Sequence, residues 1–123
     1  DLVAGQCLEE ASAFTGGQTN EVSRAQVVPC RLPHQAEVYL RADLAARPDA
    51  RFPGAGRLRG QAQQRCQDAF QRYVGVRWTR SELEIAALWP SPTSWPQGDR
   101  LVACVAFRAD GEPLTGTVRG TRR

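Results

Sequence analysis

The stretch VVPCRLPHQAEVYL, residues 27–40, holds a cysteine, the only histidine of the chain and the beginning of an alternating segment. The alternation places Ala36, Val38, Leu40 and Ala42 on one face and Glu37, Tyr39 and Arg41 on the other. Apolar and polar residues that alternate with period two are typical of a β-strand with one buried face. The stretch therefore predicts a half-buried strand that follows a proline-bounded corner at Cys30.

Cys30, His34 and Glu37 also have the residue types of a small reactive site. A cysteine–histidine nucleophile pair needs an unpaired thiolate, and a zinc site usually needs three or four protein ligands. If the strand already begins at His34, that residue lies in phase with Ala36, and Glu37 points to the opposite face. We therefore favour a structural His34 that fixes the corner after Pro33, with no metal and no cofactor. A hydrolase or metal-dependent enzyme centred on His34 and Glu37 is the alternative.

The composition is that of one globular domain. With 123 residues, 41% apolar and 24% charged, the chain can form a single core over residues 1–123. The net charge of +3 comes without lysine and without a dense basic stripe, which argues against a nucleic-acid partner. No segment approaches the roughly 18 apolar residues of a membrane span. The chain has no initiator methionine, so we expect a signal peptide or membrane anchor to lie upstream of it.

The four cysteines, Cys7, Cys30, Cys66 and Cys104, are widely separated. An even number without a C-x-x-C pair in a small domain is typical of two disulfides and an oxidising compartment. Four buried free thiols are the alternative. Three pairings are open, and we prefer Cys7–Cys30 with Cys66–Cys104. In the chain-entropy account, these two loops would stabilise the fold by about 3.5 and about 4 kcal/mol respectively.

One helix is predicted in the middle of the chain. Residues 58–73 carry apolar side chains at helical spacing, with glutamine and arginine opposite, and Gly75 follows as a stop signal. This spacing puts Cys66 on the buried stripe of the helix. Residues 9–24 and 47–56 are polar or rich in proline and glycine, which is typical of loops.

The second half of the chain predicts further strands. In residues 83–89 the alternation favours a strand, although Ser81 and Glu84 have the form of a helical capping box. Residues 101–119 indicate a hairpin: LVACVAF is apolar on both faces, as in a central strand, and the segment from Leu114 returns after an Asp-Gly turn. The order is strand, strand, helix, strand, strand, strand. It predicts an α+β domain with an antiparallel sheet of about five strands and one main helix packed on it.

Several motifs occur in an order that resembles a known family. They are GQC at 5–7, VVPCRLPHQAEVYL at 27–40, YVG at 73–75, SPTSWPQGDRLVAC at 91–104 and LTGTVRG at 114–120. Together they resemble the septum formation domain family of actinobacteria, with Gln6 where the family usually has aspartate and Thr117 where it often has serine. The resemblance implies an extracytoplasmic domain, usually tethered by one transmembrane helix, in proteins linked to cell division. It implies no catalytic residue.

A loop in the second half of the chain combines an aromatic side chain with charged ones. Trp95 is expected to cover the core, although an aromatic residue beside an arginine is also found at binding surfaces. The candidate binding surface consists of Trp95, Asp99, Arg100, His34 and Glu37.

Our leading hypothesis is a non-catalytic, membrane-tethered domain of the cell envelope. It would bind an envelope or cell-division protein, with wall glycan as the second choice of partner. Besides the enzyme hypothesis above, a sensory domain that holds a small ligand between helix and sheet is open. Such a domain would need an apolar cavity near Tyr73 and Trp89.

Overall fold

The computed structural model describes residues 3–9 and 26–123. The strands are β1 (Cys7–Leu8), β2 (Val27–Val28), β3 (Ala36–Asp43), β4 (Leu83–Leu88) and β5 (Leu101–Arg108), and the helix is α1 (Ala55–Val74). The strands form one antiparallel sheet in the order β2-β1-β3-β5-β4. The predicted α+β fold is confirmed. The loop predicted over residues 9–24 lies, apart from Glu9, outside the described residues.

Helix α1 packs across one face of the sheet with the predicted apolar stripe. Its buried residues are Leu58, Ala62, Cys66, Ala69, Phe70 and Val74. The helix ends at Gly75, whose φ of 99° is left-handed and whose N–H donates to the carbonyl of Gln71 at 3.0 Å. Glycine adopts this conformation without a Cβ penalty, so the stop signal in the sequence has a direct structural cause.

The ambiguous segment after the helix is a strand, as predicted. β4 pairs along its whole length with β5, from Leu83 opposite Arg108 to Leu88 opposite Ala103. β5 lies between β3 and β4, and its residues 102–106 are all buried. A strand that is covered on both faces needs apolar residues on both, which explains the continuous apolar run.

The first half of β3 is buried on both faces, so the prediction of a half-buried strand was wrong there. A β-bulge at Tyr39 shifts the alternation of side chains between the two faces of the strand. Val38 pairs with Val105 and Leu40 with Cys104, which leaves Tyr39 as an extra residue. Tyr39 and Leu40 therefore both pack on the helix side of the sheet. The other side carries a second cluster, made of Leu8, Ala36, Val38, Leu88, Ala103 and Val105.

The C-terminal hairpin predicted over residues 101–119 is not formed. After β5 the chain turns, and Leu114 forms only an isolated bridge with His34. Gly116 has a φ of 83°, outside the extended region that a strand requires. Among the described residues the sheet nevertheless has five strands, because three strands (β1, β2 and β3) precede the helix where two were predicted. The order is therefore three strands, the helix and two strands.

Both preferred disulfides are present. Cys7 is bonded to Cys30 and Cys66 to Cys104, and no cysteine is free. Cys66–Cys104 joins the middle of α1 to β5, and both cysteines are fully buried. Cys7–Cys30 joins β1 to the corner that precedes β3.

Candidate functional site

Glu37, on β3, is a fully buried carboxylate with three hydrogen-bond donors around it. Its Oε2 accepts hydrogen bonds from the hydroxyls of Tyr73 at 2.5 Å and Thr117 at 2.7 Å. Its Oε1 accepts one from the backbone N–H of Val118 at 2.9 Å. A buried carboxylate is tolerated because such donors replace its water. Glu37 thus fixes the C-terminal segment to the sheet and to the end of α1.

His34 lies beside this carboxylate in the corner before β3. Its backbone exchanges two hydrogen bonds with Leu114, at 2.9 and 2.7 Å. The side chain is 1% exposed, and its Nδ1 lies 2.8 Å from the carbonyl oxygen of Leu32. A carbonyl can only accept, so Nδ1 carries the proton and donates it. Nε2 is buried and has no hydrogen-bond partner among the described residues.

His34 and Glu37 are close together, contrary to the expectation that they point to opposite faces. A ring nitrogen of His34, a carboxylate oxygen of Glu37 and the Sγ of Cys7 all lie within 4.8 Å of one another. The expectation was wrong because β3 begins at Ala36. His34 precedes it in a turn, where the alternation of the strand does not apply.

The sulfur in this cluster is not a free nucleophile. Cys7 Sγ lies 3.7 Å from Glu37 Oε1 but is bonded to Cys30, so it has no proton to donate. This is a van der Waals contact rather than a hydrogen bond. A hydrolase with a cysteine–histidine pair would need a thiolate, and one that uses His34 and Glu37 would need both side chains open to its substrate. In the described residues the thiolate is absent, and His34 and Glu37 are 1% and 0% exposed.

The motifs that carry the family resemblance meet around the same cluster. The carbonyl of Cys30 accepts a hydrogen bond from Gly116 N–H at 2.7 Å, and that of Tyr73 accepts one from Gly120 N–H at 2.8 Å. The guanidinium of Arg119 lies 4.8 Å from the centre of the Tyr73 ring. Burial, followed by the hydrogen bond to Glu37, raises the pKa of Tyr73. Three distant motifs therefore form one polar cluster.

Trp95, Asp99 and Arg100 form a second, separate cluster. Trp95 is 3% exposed, and its Nε1–H donates to the carbonyl of Ala50 at 2.7 Å. The guanidinium of Arg100 lies 3.6 Å from the centre of the Trp95 ring and donates to the Trp95 carbonyl at 2.8 Å. Asp99 accepts hydrogen bonds from Ser94 Oγ at 2.7 Å and from the backbone N–H of Leu101 at 3.0 Å. These contacts fasten the loop before β5 to the loop before α1.

A groove of about 390 Å³, which the sequence did not predict, lies beside this cluster. We call it the arginine groove; it is lined by Leu44, Ala45, Ala46, Pro53, Arg57, Leu58, Gln61, Arg65 and Trp95. Arg57, Gln61 and Arg65 follow one another at four-residue spacing on α1, and all three are exposed. Neither arginine forms an ion pair within residues 3–9 and 26–123. The four-residue spacing was visible in the sequence, but the apolar floor comes from other segments.

Fold and disulfides together define a class: a small α+β domain whose two disulfides indicate an oxidising environment outside the cytoplasm. The model of the family described as "Septum formation" matches residues 4–121, nearly the whole chain. The chain belongs to this family, which indicates a role related to cell division. No curated protein and no solved structure matches the chain. No helix within the described residues has the length and apolarity of a membrane span.

Proposed function

We propose that this chain is a non-catalytic binding domain of the cell envelope, and that it holds an acidic segment of another envelope or cell-division protein in the arginine groove. The observation that carries the proposal is the groove itself. It combines two exposed guanidinium groups, which form no ion pair among the described residues, with an apolar floor that includes Leu44, Ala46 and Pro53. None of the described residues that line it is acidic. Arginine pairs with carboxylates through two parallel hydrogen bonds, so it favours this kind of ligand.

The spacing of the two arginines defines the shape of the ligand. Arg57 and Arg65 are eight residues apart on α1, which corresponds to about 12 Å along the helix axis. An extended peptide advances about 3.3 Å per residue and points alternate side chains to the same side. Two acidic residues four positions apart would therefore reach both guanidinium groups. An apolar residue midway between them would face the floor of the groove.

The apolar floor favours a protein over a wall polymer. Sugar and phosphate groups gain little from contact with Leu44, Ala46 and Pro53, whereas an apolar side chain gains about 25 cal/mol for each Å² that it buries. A wall polymer would depend mainly on ion pairs with exposed arginines, each of which contributes at most about 1 kcal/mol. Wall glycan is therefore our second choice of partner.

The burial of the other candidate residues supports a role without catalysis. His34 and Glu37 are closed to a substrate in the described structure. The space between helix and sheet, where a sensory domain would hold its ligand, is filled by Tyr39. Its ring lies 5.6 Å from Phe70 and 6.0 Å from Tyr73, and its hydroxyl donates to the Cys66 carbonyl at 2.8 Å. The family resemblance supports a tether by a transmembrane helix elsewhere in the protein.

Photo-crosslinking of the full-length protein in its native cell tests the proposal. A photoreactive residue at Gln61 reports on the arginine groove. The matched control is Gln67, an exposed glutamine of the same helix that lines a different groove, of about 290 Å³. We expect a protein adduct from position 61 and none of the same size from position 67. Adducts to wall polymer alone, or no adduct specific to position 61, would contradict the proposal.

A further inference from the structure

The ring of His34 has the hydrogen bonding that is characteristic of a metal-binding histidine. Histidines that bind metals usually donate the proton of one ring nitrogen to a carbonyl or a carboxylate, which directs the lone pair of the other nitrogen to the metal. In His34, Nδ1 donates to Leu32, and Nε2 is buried with no partner among the described residues. A buried polar atom without a partner is rare in native proteins and calls for an explanation.

The carboxylate of Glu37 is also held in place by hydrogen bonds, as the imidazole ring of His34 is. The hydroxyls of Tyr73 and Thr117 both bond to Oε2, whereas Oε1 accepts a hydrogen bond from Val118 N–H at 2.9 Å and also lies 3.7 Å from Cys7 Sγ. Carboxylates that bind metals are commonly held by hydrogen bonds of this kind. Both oxygens of Glu37 are therefore held by hydrogen bonds, and one carboxylate oxygen lies within 4.8 Å of the Cys7 sulfur and of a His34 ring nitrogen.

Sulfur is the ligand that the oxidised protein lacks, because the thiolate is the form that binds metals. We propose that reduction of Cys7–Cys30 converts this cluster into a zinc site whose ligands are the two thiolates, His34 and Glu37. A dithiol donates two electrons and two protons to the disulfide and itself becomes a disulfide. The two cysteine thiols then bind Zn²⁺ as thiolates and release two protons to water.

The geometry suits zinc after a small contraction. Tetrahedral zinc holds its ligand atoms at 2.0–2.3 Å, which places neighbouring ligand atoms about 3.3–3.8 Å apart. The atoms of Cys7, His34 and Glu37 lie within 4.8 Å of one another, so closure needs a movement of about 1 Å. Breaking the disulfide frees both cysteine side chains for that movement. Cys30 is partly exposed, so the ion can reach the cluster from its side. This site is independent of the arginine groove.

Zinc binding by the purified chain tests the inference. The chain is reduced with a phosphine, which becomes a phosphine oxide, and is then equilibrated with Zn²⁺ and separated from free metal. We expect about one zinc per chain in the reduced form and none in the oxidised form. Cobalt(II) should give thiolate-to-metal charge-transfer absorption. Tyr73→Phe, which removes a hydrogen bond behind the carboxylate, should weaken zinc binding about tenfold or more.

Matched variants separate this site from adventitious binding by thiols. The reduced Cys66→Ala/Cys104→Ala chain should keep the zinc, and the Cys7→Ser/Cys30→Ser and His34→Gln chains should lose it. If the reduced chain unfolds, zinc should restore the far-ultraviolet circular dichroism of the wild type but not that of His34→Gln. Absence of zinc from the reduced chain would overturn the inference. So would equal binding by the oxidised chain or by His34→Gln.

Discussion

The hydroxyl of Tyr73 donates a 2.5 Å hydrogen bond to Glu37 across 36 positions of the chain. It joins the last turn of α1 to the buried start of β3. Thr117 and Val118 bond to the same carboxylate, so one side chain connects the helix, the sheet and the C-terminal segment. Hydrogen bonds to a charged group contribute more than neutral ones, and a buried donor that loses its acceptor is costly. Glu37 is therefore expected to be a main determinant of stability.

Replacing Glu37 with glutamine tests this expectation. The amide has nearly the same shape, but its NH₂ group cannot accept the hydrogen bonds that one carboxylate oxygen accepts now. We expect the free energy of unfolding to fall by about 2–3 kcal/mol, measured by urea denaturation of the oxidised chain. The exposed Glu112→Gln is the control and should change it by no more than about 0.5 kcal/mol. Equal effects of the two substitutions would refute a special role for Glu37.

Tyr73→Phe removes one donor and one titrating group. We expect the free energy of unfolding to fall by about 1.5 kcal/mol near neutral pH. Burial and the Glu37 carboxylate raise the pKa of Tyr73 above its ordinary value of 10.0. A raised pKa favours the protonated form in the folded state. The contribution of Tyr73 is therefore complete below the unfolded pKa and is lost as the pH rises through the folded pKa. The difference in stability between wild type and Tyr73→Phe should shrink above pH 10 and stay constant below it; a constant difference throughout would contradict this reasoning.

The disulfide between α1 and β5 should be a large stabilising contribution. Cys66 and Cys104 are separated by 38 positions, and closing a loop of that size stabilises the folded state by about 4 kcal/mol in the chain-entropy account. Cys66→Ala/Cys104→Ala should therefore lower the free energy of unfolding by about this amount. Equilibrium denaturation under non-reducing conditions measures it. A loss below about 1 kcal/mol would show that the account fails for this cross-link.

Arg100→Lys tests the cluster around Trp95. Lysine keeps the charge but loses the planar group that lies on the indole ring and donates to several carbonyls. We expect the free energy of unfolding to fall by about 1–2 kcal/mol. We also expect the Trp95 indole N–H resonance to shift, because the loop that carries Ala50 becomes less tightly held. Arg47→Lys, whose side chain is 83% exposed, is the control and should leave both unchanged. An unchanged Trp95 resonance in Arg100→Lys would contradict the role of Arg100 in holding this cluster together.

The features that the sequence predicted correctly depend on local periodicity. The apolar stripe of α1, the stop at Gly75 and the apolar run of β5 each follow from neighbouring residues. The features that it missed depend on distant contacts. The bulge at Tyr39 changes the phase of β3, and the failure of the strand from Leu114 follows from a left-handed glycine and from pairing with His34.

The same distinction between local periodicity and distant contacts explains which parts of the candidate site the sequence predicted. The sequence predicted His34 and Glu37 on opposite faces because the strand was assumed to begin at His34. The alternation does not show where β3 begins, and in the structure it begins at Ala36. The arginines of the groove were visible as one face of α1. Its floor, however, combines the helix with the segment at 44–46 and with Trp95, which are adjacent only in the folded chain.

Charge variants on α1 test the proposed function most directly. Arg57→Ala/Arg65→Ala and Arg59→Ala/Arg72→Ala each remove two exposed arginines from the same helix, but only the first pair lines the arginine groove. The measurement is the amount of the protein adduct formed by a photoreactive residue at position 61 in the native cell. We predict that it falls at least tenfold in the first variant and is unchanged in the second. Equal yields in the two variants would contradict the proposed role of the groove.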